Sequence, residues 1–188
     1  PTVDSQVVSL KASGCNTLVT AATPKFAAQA IRKVHDIGWK PLPFLTNVSV
    51  SIGAVIQPAG LEKAVGIITG AYLKDPNDPS FKDDPAMLEW RAFMKKYVPD
   101  ADVSDVSTVY GYSVSETLVQ VLKQCGADVS RENVIKQAAS LKGFKPSLAL
   151  PGLELNTSAN DYRPFSQMQL ARFNGKSFER FGGVISGE

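Results

Sequence analysis

The chain has 188 residues, 44% of them hydrophobic, with 20 basic and 18 acidic side chains and a net charge of +2. That composition suits a globular chain of one large or two small domains rather than a disordered one. Mixed signs without a basic stripe argue against a nucleic-acid partner. No apolar run approaches the roughly 20 residues a membrane span needs, so direct membrane insertion is not expected. The opening Pro1-Thr2-Val3-Asp4 has neither Met nor a leader pattern and reads as a processed or truncated product.

The first third alternates helix and strand. Val3 to Ser13 reads as a helix stopped at Gly14, and Thr17 to Thr20 as a short strand. Thr23-Pro24 then opens a helix to Ile37, with Ala27, Ala30, Ile31, Val34 and Ile37 at helical spacing and Gly38 as its stop. Pro43 to Thr46 reads as a second strand, followed by Asn47-Val48-Ser49. A short helix from Ser51 to Ile56 stops at Pro58-Ala59-Gly60. Val65 to Thr69 reads as a third strand, which Ala71-Tyr72-Leu73 extends. Such alternation implies right-handed parallel crossovers, hence part of a doubly wound α/β sheet.

The polar stretch Lys74 to Asp84 follows. Asp75, Asp78, Asp83 and Asp84 suggest a calcium loop, but the Gly and Glu of the EF-hand pattern are missing and no metal is expected. Asp84-Pro85 opens a helix whose Met87, Trp90, Phe93, Met94 and Tyr97 form one stripe, read as core packing. Asp100, Asp102 and Asp105 mark a solvated linker. Beyond Val106 the pattern turns to helix on helix: Thr108 to Cys125, with Val109, Tyr112, Leu118, Val119 and Leu122, then a Ser130-capped helix with Val134, Ile135, Ala138 and Leu141. The tail is β-like at Leu153 to Leu155, Gln167 to Phe173 and Ser177 to Phe181, with Asn174-Gly175 as a hairpin signal. Cys15 and Cys125 read as two buried thiols without a bridge, and His35 as a surface residue.

No catalytic constellation is present. The Gly-x-Ser-x-Gly elbow, the phosphate loop, the Cys-x-x-Cys pair and the dinucleotide Gly-x-Gly-x-x-Gly are all missing. The carboxylates gather in loops, so neither an enzyme nor a cofactor is expected. In open α/β sheets ligands sit beyond the carboxyl ends of the strands. Two such ends carry small polar residues, namely Ala22, Thr23 and Pro24 after the first strand, and Thr46, Asn47, Val48 and Ser49 after the second. A helix N-terminus at Thr23 favours an anionic or polar group, and hydroxyls with an amide orient a small solute. Two simpler roles stand beside this: Thr23 as a helix cap, and Asn47 as a turn former.

Several segments in this order resemble the C-terminal portion of type I periplasmic solute-binding proteins of branched-chain amino acid ABC transporters. They are Val7 to Gly14 (VVSLKASG), Pro24 to Gly38 (PKFAAQAIRKVHDIG), Gly60 to Thr69 (GLEKAVGIIT), Asp84 to Tyr97, Val109 to Gly126 (VYGYSVSETLVQVLKQCG) and Met168 to Gly175 (MQLARFNG). The resemblance implies an incomplete two-lobe fold. Residues 1–105 would belong to the second lobe, 106–160 would cross back to the first, and 161–188 would return to the second in a C-terminal hairpin. It implies a small-molecule solute, ABC permease membrane subunits as partners, a periplasmic location and a monomer when full length.

It also places Ala22 and Thr23 where amino-acid binders put an aromatic contact, and Asn47 near the acid that pairs with the substrate ammonium. This sequence has no Tyr near Thr23 and no Asp or Glu from Thr46 to Ser51. A buried ammonium without a carboxylate partner costs several kcal/mol. An aromatic or aliphatic carboxylate is therefore the expected solute in preference to an α-amino acid. A branched-chain amino acid binder and a ligand-sensing or regulatory domain of the same fold remain alternatives. Tyr110 either lines the cleft or serves the core or hinge, and Tyr112 is read as core.

Overall fold

The structure, a computed structural model, describes residues 1–187. The chain divides into two compact units: Pro1–Ala71 with Ser104–Ser107 and Leu170–Gly182, and Tyr72–Val103 with Thr108–Gln169 and the residues from Gly183 on. Tyr72–Val103 thus shares a compact unit with the later helices.

The first unit opens with α1 (Asp4–Ala12), β1 (Thr17–Thr20), α2 (Pro24–Asp36) and β2 (Leu42–Leu45). Pro24 occupies the first turn of α2, where its missing N–H costs nothing. At the far end Gly38 takes φ +63°; its N–H donates to the His35 carbonyl at 2.9 Å and that of Trp39 to Val34 at 3.1 Å. This paired closure needs a left-handed residue, which is why glycine stands there. After β2 come a 3₁₀ turn (Asn47–Ser49) and a π-helical turn (Ile52–Ile56) running into α3 (Gln57–Ala59). A further 3₁₀ turn (Leu61–Ala64) leads to β3 (Ile68–Ala71).

The sheet order is β1-β2-β3-β4-β5, where β4 is Gln167–Phe173 and β5 is Phe178–Ser186. The first three strands run parallel, with Thr17 opposite Leu42, Thr20 opposite Leu45, and Phe44 opposite Ile68. The third strand thus starts later than the sequence suggested. Val65, ahead of it, is 55% exposed, whereas Ile67 and Ile68 are buried. The Asn174 side chain accepts from the amides of Lys176 (2.8 Å) and Ser177 (2.9 Å), closing the expected hairpin between β4 and β5. The core of this unit packs Ala27, Ala28 and Ile31 of α2 with Leu45, Val55, Ile56, Ile67, Phe173 and Phe178.

The second unit holds α4 (Pro85–Tyr97), most of α5 (Val106–Cys125) and α6 (Arg131–Ala138). Met87 and Trp90 are fully buried and Met94 nearly so, but Phe93 and Tyr97 are 40% and 60% exposed. Two of the five residues of the α4 stripe therefore leave the core. Those two rings stack on each other at 4.8 Å, and Tyr112 meets Phe93 edge-on at 5.2 Å. In α5 the buried line is Val109, Ser113, Val121 and Cys125, while Leu118, Val119 and Leu122 face outward. The helix is rotated from the expected face. Val121 and Cys125 pack with Leu141 and Leu155, to which Val134 and Ala138 of α6 add; Ile135 is 57% exposed. The segment read as strand at Leu153 to Leu155 contributes a single antiparallel bridge, Phe144 to Leu155. Cys125 is buried as expected, but Cys15 is exposed and accepts a contact from the Ser13 hydroxyl at 3.1 Å. His35 is an exposed residue.

A polar chain organises the start of this unit. The Lys74 ammonium, with only 9% of its side chain exposed, donates to both oxygens of Asp84 at 2.8 and 2.9 Å and to the Ser147 carbonyl at 3.1 Å. Asp84 also caps α4 by accepting from the Met87 amide at 3.0 Å. On the other side the Glu116 carboxylate takes both the amide (2.8 Å) and the hydroxyl (3.0 Å) of Ser147. Burial alone would raise the pKa of Asp84, but the Lys74 hydrogen bonds and the helix amides outweigh it and hold the group below its ordinary value. Two further acids of the Lys74 to Asp84 stretch also bind locally: Asp75 accepts from Asn77, and Asp78 from the Ser80 amide.

Candidate functional site

The two loops picked out from the sequence lie side by side at the carboxyl ends of β1 and β2. In-register pairing of Thr20 with Leu45 starts them level, and the Thr46 amide donates to the Thr20 carbonyl at 3.0 Å. Ser49 then joins them: its hydroxyl, on a fully buried residue, donates to the Ala22 carbonyl at 2.5 Å. Ser49 was expected to face a solute; burial and this bond make it the tie between the loops instead. Ala22, half-buried against the core, is the other half of that joint.

The remaining expected residues stay accessible to different degrees. Thr23 precedes α2 in extended conformation, and its carbonyl accepts from Phe26 (3.0 Å) and Ala27 (2.9 Å). Its side chain makes no capping bond, so the capping role expected of its hydroxyl is not taken up. Thr23 and Pro24 are exposed, Thr46 and Asn47 half-buried, and Val48 is 72% exposed. The Asn47 amide forms no hydrogen bond among the described residues, although its backbone opens a 3₁₀ turn as the turn-forming reading required. Tyr110, 53% exposed on α5, belongs to the second unit.

The loop pair therefore offers a hydroxyl, a carboxamide and the positive end of a 13-residue helix, with no acidic side chain between Thr46 and Ser51. Groups of this kind can orient a polar or anionic group by hydrogen bonds. Sequence reasoning missed the tie through Ser49, which no spacing signals because its partner is a carbonyl 27 residues away. It also missed Ser51, whose hydroxyl accepts from the Ala54 amide at 3.2 Å and starts the π-helical turn. A separate cavity of about 270 Å³, lined by Leu18, Ile31, Val34, Trp39, Pro43 and Ile67 among others, contains none of the eight expected residues. No group of three or more His, Cys, Asp or Glu among the described residues is placed to hold a metal ion.

A family model described as periplasmic binding protein matches residues 2–177. No match was found among curated proteins. Among solved structures, a branched chain amino acid ABC transporter protein from Thermus thermophilus with bound valine is 14% identical, with a TM-score of 0.80; the alignment covers 98% of this chain and 50% of that one. A substrate-binding periplasmic protein from Ralstonia solanacearum is 17% identical with a TM-score of 0.79, covering 95% and 49%. A leucine binding protein from Thermotoga maritima is 13% identical with a TM-score of 0.70, covering 98% and 48%. The chain thus spans about half the length of these structures, and at such identities the likeness concerns the fold. The match over nearly all of the sequence, on a parallel sheet with its polar loops at the strand ends, places the chain in the periplasmic binding protein family.

Proposed function

We propose that this chain is part of the solute-binding receptor of an ABC importer, located in the periplasm, and that its two tied loops form one wall of the solute cleft. The opposite wall comes from the half of the receptor that its structural relatives possess and this chain does not span. The mechanism is capture by closure around the solute, expulsion of water and delivery to permease subunits, without bond chemistry. The full-length receptor acts as a monomer.

One observation carries the reading: Ser49 fixes the two loops to each other while the Thr23 hydroxyl and Asn47 carboxamide have no hydrogen-bond partner among the described residues. Polar groups held on a rigid frame and not consumed by it are what a specific small-molecule site requires. The relatives named above, one with bound valine, support a small organic solute. For the solute class, the absence of an acid from Thr46 to Ser51 and the helix N-terminus at Thr23 favour an aromatic or aliphatic carboxylate over an α-amino acid.

Titration calorimetry of the full-length protein tests this. Aromatic and aliphatic monocarboxylates are expected to bind, and branched-chain amino acids to bind more weakly or not at all. Tight leucine or valine binding with no response to the acids contradicts the solute class, and silence toward every small solute contradicts the receptor reading.

A further inference from the structure

The cavity of about 270 Å³ lies apart from the loop pair, and the first unit builds it alone: every lining residue falls within Pro1–Ala71. One wall is the sheet, where in-register pairing sets Leu18 beside Pro43 on the same face. The second wall is α2, whose Ile31, Val34 and His35 share a face at helical spacing. The third is the Trp39 indole. Gly38 closes α2 in a left-handed turn, and the Trp39 Nε1 then donates to the Cys15 carbonyl at 3.3 Å, which holds the ring in place with its own polar atom engaged. Charged residues of the lining gather at the amino ends of the strands, Lys40 ahead of β2 and Glu62 and Lys63 ahead of β3. About 18 Å of helix separates Thr23 from His35, so a small solute held by the loops does not reach that end.

A dry cavity of roughly 150 Å³ accepts benzene, so one of about 270 Å³ holds a substituted ring or a fused pair. Walls of Leu, Ile, Val and Trp suit such a ring, and the charged groups select its substituent. Lys63 is already engaged with Asp36 at 2.9 Å. The Lys40 ammonium makes no hydrogen bond or ion pair among the described residues. Two lysines stand against a single carboxylate in the lining, Glu62, a balance that favours an anion. We propose that this cavity is a second small-molecule site, separate from the solute loops, which takes a one- or two-ring aromatic acid with its ring against Trp39 and its carboxylate at Lys40. The site stands whichever solute the loops take.

Phenylacetate is the probe, titrated into the full-length protein carrying Thr23→Ala/Asn47→Ala so that the loops are disabled. Saturable binding by calorimetry is expected, with a change in tryptophan emission that disappears in Trp39→Phe. Phenylacetamide, of the same shape without the charge, should bind about tenfold more weakly. Lys40→Ala should weaken phenylacetate by about the same tenfold factor, and Glu62→Gln should tighten it, both at exposed positions where the fold is not at stake. Val34→Phe fills the cavity and should abolish binding; if that variant does not fold, the opposed effects at Lys40 and Glu62 decide alone. Absence of binding, an emission change that survives Trp39→Phe, equal affinity for phenylacetamide, or indifference to both charge changes overturns the proposal.

Discussion

The loop pair after β1 and β2 and the polar chain around Lys74 use the same kinds of groups to opposite ends. Around Lys74, a buried ammonium, two carboxylates, a serine and a helix amide bond chiefly to one another. At the loops a single serine is consumed in fixing the geometry, and the neighbouring threonine and asparagine are left over. The contrast separates scaffold from site. Polar groups that complete their own hydrogen bonds hold a fold together, and those held in place but unfulfilled are available for recognition.

The largest effect is expected at Lys74. Lys74→Met keeps the apolar stem but strands Asp84 in a partly buried position, and should cost about 2–4 kcal/mol in urea unfolding, below the full cost of a buried pair because Asp84 is 23% exposed. The acid limb gives a second check. The folded pKa of Asp84 lies below its ordinary value of 3.8, so its stabilising contribution is complete above that pH and disappears as pH falls through the folded value. The penalty of Lys74→Met should therefore shrink below about pH 3.8, and a penalty constant with pH would show that the ion pair is not its source.

A smaller effect is expected at Ser49. Ser49→Ala removes the donor to a carbonyl inside the joint and should cost about 1–2 kcal/mol, with weaker solute binding because the loops are no longer fixed. Equal stability and affinity in the variant would reduce Ser49 to a space filler. Thr23→Ala, at an exposed hydroxyl without a capping bond, should change stability by less than about 0.5 kcal/mol.

Much of this was legible in the sequence, and the failures share a cause. The limits of β1 and the start and stop of α2 follow from local chemistry: β-branched residues, Thr-Pro and Gly38. The adjacency of the two loops followed from the rule about strand ends. What was misjudged depends on which neighbour arrives from far along the chain. Phe93 and Tyr97 have core-like spacing but lie outside the packed face of α4, and α5 buries Ser113 while exposing Leu118. Ser49 looked like a binding residue because nothing local shows that a carbonyl waits for it. Periodicity gives the existence of a face; the partner decides its orientation.

The central claim, that the loops present Thr23 and Asn47 to the solute, is tested most directly by one affinity measurement. In the full-length protein, a Thr23→Ala/Asn47→Ala double variant should unfold within a few degrees of the parent yet bind its solute about 100-fold more weakly, two lost hydrogen bonds at roughly 1.4 kcal/mol each. Parental affinity in a folded double variant would contradict the account, because the solute would then be held elsewhere.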